Sequence, residues 1–172
     1  MTTWAASPEL TTSIVPDSDP RPRSHSTRSK ARKRALDILF EAELRGDDPL
    51  QTLAVRTDRA EPPVRDYTAT LVRGVTTHQG EIDRRIATCM SKGWTVERMP
   101  RVDRAAARIG VYEIDFGDVP DGVAVAEAVA LVTELSTDES PAYLNGLLGA
   151  VLATKTPVDD VGPTEQPSAQ SA

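Results

Sequence analysis

Between Asp19 and Asp37 the chain carries Arg21, Arg23, Arg28, Lys30, Arg32, Lys33 and Arg34 with no acidic residue among them. Seven cations in one acid-free stretch, on a chain of formal net charge −6, make an electrostatic footprint for an anionic partner. Such side chains neutralise phosphates, and nucleic acid is the commonest partner of that charge; the same composition also fits a solvated tail. A second set, Arg101, Arg104 and Arg108, recurs at i, i+3, i+7, interrupted by Asp103. Periodicity alone reads it as a solvated helix face. Aromatic residues make up only 4% of the chain, and Phe40 falls at the edge of an apolar stripe behind the arm, where an unpaired base could stack on it.

Catalytic chemistry is not advertised. The sequence has no glycine-rich phosphate loop, no Gly-x-Ser-x-Gly elbow and no pair of histidines spaced to hold a metal on a helix. His25 and His78 with the single Cys89 supply no zinc set, and one cysteine forms no intrachain disulfide. Carboxylates are plentiful but scattered. The expectation is a binding protein, not an enzyme, with no cofactor and no metal. The N-terminus lacks the basic and apolar regions of a secretory leader, and no apolar run approaches about 18 residues, so a cytoplasmic protein with no membrane contact is expected.

The elements that must position the cations are helices. Ala31, Ala35, Ile38, Leu39 and Ala42 recur at one-face spacing, with Thr27 or Ser29 as the cap and Gly46 as the stop. Asp48-Pro49 opens a short helix expected to bury Leu50, Leu53 and Ala54, and Pro62-Pro63 opens the next, with Val64, Tyr67, Leu71, Val72 and Val75 inward. Ile82, Ile86 and Met90 continue the rhythm, and Gly80 either kinks one helix or separates two. Pro100, Val123 and Ser140-Pro141 begin three more. In the last, Leu144, Leu147, Leu148 and Val151 form a large stripe beside the small one of Ala142, Gly146, Gly149 and Ala153, which predicts close packing of a neighbour. With no strand alternation, the fold class is all-α, about seven helices in two small bundles. Residues 28–155 are read as one folded domain, between a disordered tail over 1–27 and a disordered acidic tail over 156–172.

Three stretches resemble the NusB-type transcription antitermination factors, across about 125 residues from Arg28 to Ala153. They are Arg32-x-x-Ala35-x-x-x-Leu39-Phe40; Val102-Asp103-Arg104 leading to Arg108-Ile109-Gly110-Val111-Tyr112-Glu113-Ile114; and Ser140-x-x-Tyr143-Leu144-Asn145-Gly146-Leu147-Leu148. One position departs: Ala126 stands where the family usually has Asn.

The resemblance implies an all-helical protein that binds the single-stranded boxA element of ribosomal RNA transcripts. It also implies a partner, the ribosomal small-subunit protein NusE, and recruitment of further Nus factors to RNA polymerase in support of antitermination and ribosomal RNA maturation. Carried over by position, it assigns RNA contact to Arg28, Lys30, Arg32, Lys33, Phe40, Arg108, Glu139, Tyr143 and Asn145. Two rivals stand beside it. One is a NusB-like accessory domain of an rRNA methyltransferase, against which the chain length argues. The other is a homo-oligomeric helical scaffold, a homodimer in the simplest case, whose RNA surface is masked.

Overall fold

The computed structural model describes residues 26–60 and 63–155; the acidic tail and residues 1–25 of the N-terminal one, with Arg21 and Arg23, lie outside the described residues, while Thr27, expected in that tail, opens the first helix. Seven α-helices follow in order: α1 (Thr27–Arg45), α2 (Pro49–Asp58), α3 (Asp66–Thr77), α4 (Gln79–Cys89), α5 (Arg101–Phe116), α6 (Asp121–Leu135) and α7 (Ser140–Ala153). A single 3-10 turn, Val96–Arg98, precedes α5, and there is no strand among the described residues. Helix α5 is the axis: α1, α3, α4, α6 and α7 all pack against it, α2 packs on α1 and α3, and one apolar core runs from Ala35 to Val151 through its buried residues.

Local chemistry sets the ends. Ser26, rather than Thr27 or Ser29, is the cap: it accepts the backbone N–H of Ser29 at 3.1 Å and starts α1. Gly46 stops it in the left-handed region at φ 73°, donating its N–H to the Ala42 carbonyl. Asp48 caps α2 by accepting the Leu50 N–H at 2.8 Å, with Pro49 at the first helical position. Of the three residues expected inside α2, Leu53 is buried while Leu50 and Ala54 are exposed; Thr52 takes the inward place beside Leu53. Helix α3 begins at Asp66, beyond the prolines, and it separates from α4 at His78, so Gly80 lies within α4.

The small stripe of α7 faces outward, contrary to expectation. Leu144, Leu147, Leu148 and Val151 fix the inward face, which leaves Ala142, Gly146, Gly149 and Ala153 exposed. A Cβ at Gly146 or Gly149 would meet nothing within 4 Å. The close approach comes from α5 instead, where a Cβ at Gly110 would sit 3.0 Å from Leu148 Cδ1 and 3.2 Å from Ala128 Cβ. Ser140 caps nothing with its side chain; its Oγ donates to Asp103 Oδ2 at 2.8 Å and pins the start of α7 to the first turn of α5.

Candidate nucleic-acid interface

The first turns of α1 carry Arg28, Lys30 and Lys33 at the surface. Arg28 lies 4.6 Å over the Tyr67 ring and 3.6 Å from the Asp118 carboxylate, both in partly solvated settings that leave its charge available. Lys30 is exposed and makes no ion pair among the described residues. Lys33 pairs with Glu134 of α6 at the surface. Lys30, Lys33, Asp37 and half-buried Phe40 follow one another at three- and four-residue spacing, a line of about 15 Å along one helix face.

Arg32 belongs to a different environment, which corrects its assignment as a phosphate contact on the arm. Its side chain is 2% exposed. The Nε donates to both oxygens of Glu113 at 3.0 Å, Nη2 lies 2.9 Å from Glu113 Oε1, and Nη1 lies 3.2 Å from Glu127 Oε2. The Tyr67 hydroxyl donates to the same Glu113 oxygen, and Ser29 Oγ donates to Glu127 at 3.0 Å. Burial opposes the arginine's charge, yet the bond and field of Glu113 hold its pKa above the ordinary value. Burial and then the Glu113 bond push the Tyr67 phenol upward as well, so it remains a donor. This hub ties α1, α3, α5 and α6 together beneath the arm. The physical reason for the misplacement is Leu36, buried one turn later on the same face, which turns Arg32 inward.

The second cation set is not a solvated face either. Arg104 is buried and pairs with Glu43 of α1, while its Nη1 donates to the carbonyls of Val96, Glu97 and Met99 at 2.9, 2.9 and 3.2 Å. Arg108, 15% exposed, grips Asp83 with two bonds of 2.8 Å and reaches Glu43 at 3.3 Å. Arg101, half exposed, lies 3.4 Å from Glu43. Burial raises the pKa of Glu43, but the bond and charge of Arg104, then Arg108 and Arg101, hold it below the usual carboxylate range. Glu43 follows Phe40 by one turn, so the cluster adjoins the end of the arm's line.

Tyr143 is half-buried on α7. Its hydroxyl oxygen is enclosed without a hydrogen-bond partner, and burial, with the nearby Asp103 charge, raises its pKa. Glu139 is exposed and shares a face with Tyr143 at i, i+4; Asn145, two residues on, is exposed on a different face. The structure thus aligns Lys30 and Lys33 with Phe40 on one face of α1, with Arg108 near the end of that line through Glu43, while Arg28 projects from another face of the same turn toward Tyr67 and Asp118, and Asn145 points elsewhere on α7. Sequence reasoning missed Trp94, 51% exposed beside Tyr143. An aromatic directly after Gly93, between the cations Lys92 and Arg98, was the available signal.

Residues 29–153 match the NusB family model. A transcription antitermination protein NusB of a Nocardioides species is 54% identical over 131 residues, covering 76% of this chain and 96% of that protein. Among solved structures, T. maritima NusB is similar at TM-score 0.69 and 25% identity, covering 77% of this chain and 94% of its own. A complex of antitermination factors NusB and NusE with double-stranded RNA contains a chain similar at TM-score 0.66 and 26% identity, covering 74% of this chain and 97% of that one. A helical core built on α5, with the arm's arginine locked to the glutamate of the Tyr-Glu-Ile segment, and a match over nearly all the described residues together establish that the chain belongs to the NusB family.

Proposed function

We propose that this chain binds the single-stranded boxA element of ribosomal RNA transcripts together with NusE, and that the pair joins further Nus factors at RNA polymerase to support antitermination and ribosomal RNA maturation. The observation that carries the reading is the line of exposed Lys30 and Lys33 with Arg28 at the start of α1, ending in Phe40. The similar NusB–NusE–RNA complex supports both partners. Phosphates would follow the cations, while bases, unpaired and splayed, would stack on Phe40 and Tyr143. Arg32 contributes by fixing the helix that carries the arm, and Arg108 by holding α5 to α4 and α1 through Asp83 and Glu43. The protein acts by binding, without turnover. The test is affinity for a boxA-like RNA, a scrambled RNA and the DNA equivalent, each with and without NusE. Preference for the boxA-like RNA, strengthened by NusE, is expected; equal affinity for all three nucleic acids contradicts the reading.

A further inference from the structure

Trp94 is the most exposed aromatic ring among the described residues, and it is held in place. The turn that carries it is closed by the Trp94 N–H donating to the Ser91 carbonyl at 3.1 Å, with Gly93 at φ 88°, a conformation that favours glycine. Arg98 donates from Nη1 to the Gly93 carbonyl at 3.0 Å and lies 5.4 Å from the indole centroid, a cation–π arrangement. Val96 and Met99 anchor the following 3-10 turn in the core, and the buried Arg104 guanidinium ties its carbonyls. A half-exposed indole on so fixed a support, beside a second aromatic ring, is a preorganised surface on which a planar ligand can stack.

Tyr143 stands beside it, ring centroids 6.3 Å apart and planes inclined by 42°. With centroids this close and planes inclined, the two rings form one adjoining aromatic surface rather than a slot, and the half-exposed indole is the part of it open to a stacked base. The surroundings favour an anion-bearing ligand. Arg98 lies over the ring and Lys92 is two residues before it, while the acids near the pair in sequence are Glu97 and, one turn before Tyr143, Glu139. Tyr143 also lines an open groove with Met90, Ser91, Ala142 and Gly146, and the missing side chain at Gly146 leaves its wall clear.

We propose that Trp94, braced by Arg98 and facing Tyr143, is a stacking platform for an unpaired RNA base, with Lys92 and Arg98 on the adjoining phosphates. The proposal rests on the RNA-binding reading and extends the nucleic-acid path from α1 to the loop before α5. Aromatic and arginine side chains also dominate protein interfaces, so a protein occupant is the competing outcome.

In a full-length Trp4→Phe protein, Trp94 is the sole tryptophan. Its emission is followed during titration with a boxA-like RNA, while anisotropy of labelled RNA reports binding separately, and the affinity is repeated with NusE present. Expected are quenching that saturates together with the anisotropy, a loss of about 5- to 100-fold in RNA affinity for Trp94→Ala, and recovery of most of it by Trp94→Phe. The melting temperature of Trp94→Ala should match the parent, since the ring is outside the core. RNA bound with unchanged Trp94 emission and unchanged Trp94→Ala affinity overturns the platform and leaves the RNA reading standing. A Trp94→Ala protein that keeps its RNA affinity and loses NusE overturns it in favour of a protein surface. Failure of the parent to bind RNA, alone or with NusE, overturns both.

Discussion

Arg32 and Glu113 form a buried ion pair in which one nitrogen, Nε, donates to both carboxylate oxygens at 3.0 Å across 81 residues of sequence. A buried pair of this kind is strongly destabilising when only one partner is removed, because the other charge is left without compensation. Arg32→Ala should therefore cost about 3–5 kcal/mol in urea denaturation. Arg32→Lys should recover little of it, since an ammonium cannot reproduce the Nε bonds to both Glu113 oxygens while also reaching Glu127. A stable Arg32→Ala protein with weakened RNA binding would return this residue to the phosphate-contacting set.

Glycines on α5 and α7 should respond in opposite directions. Gly146→Ala gains helix propensity at an exposed position with open space, a stabilisation of up to about 1 kcal/mol. Gly110→Val forces a branched side chain against Leu148 and Ala128, and overpacking of this kind costs about 1–3 kcal/mol. Chemical denaturation of the two variants checks both. Destabilisation by Gly146→Ala would mean that the small stripe packs after all.

The helices were legible because aliphatic side chains repeat at three- and four-residue spacing, and because Asp48-Pro49 and Gly46 punctuate them. The roles of the arginines were not. Whether a cation is solvated or buried depends on acids far away in sequence, as with Glu113 for Arg32 and Glu43, 65 residues from Arg108. Periodicity sees only the helix on which a charge sits. The outward turn of the α7 glycines escaped for a related reason: two adjacent stripes fit a buried helix equally well until α5 supplies the close approach at Gly110.

Acid should weaken the fold in part through Glu43. Its folded pKa lies below the unfolded value of about 4.3, so its contribution is complete above that value and is lost as pH falls through the lowered folded pKa. The melting temperature should fall as pH drops below about 4.3. Glu43→Gln should start lower at neutral pH and show a shallower acid limb. An unchanged limb would show that the three arginines do not depend on this carboxylate.

Tyr143 separates ring from hydroxyl. Because its Oη is enclosed without a partner, Tyr143→Phe should keep stability or raise it by up to about 1 kcal/mol and leave RNA affinity unchanged. Tyr143→Ala should cost about 1–3 kcal/mol of RNA binding without altering the salt dependence, the signature of a lost stacking surface. Equal RNA affinities for the two variants would exclude the ring as a platform.

The most direct test of the account is the salt dependence of RNA binding by the arm. If Arg28, Lys30 and Lys33 each neutralise one phosphate, they contribute roughly −2 to the slope of log affinity against log salt, at about −0.7 per contact on a single strand. Replacing all three by alanine should flatten the slope by that amount, weaken boxA-like and scrambled RNA alike, and leave the melting temperature near that of the parent. An unchanged slope in the triple variant would contradict the account and make the arm a solvated end of α1.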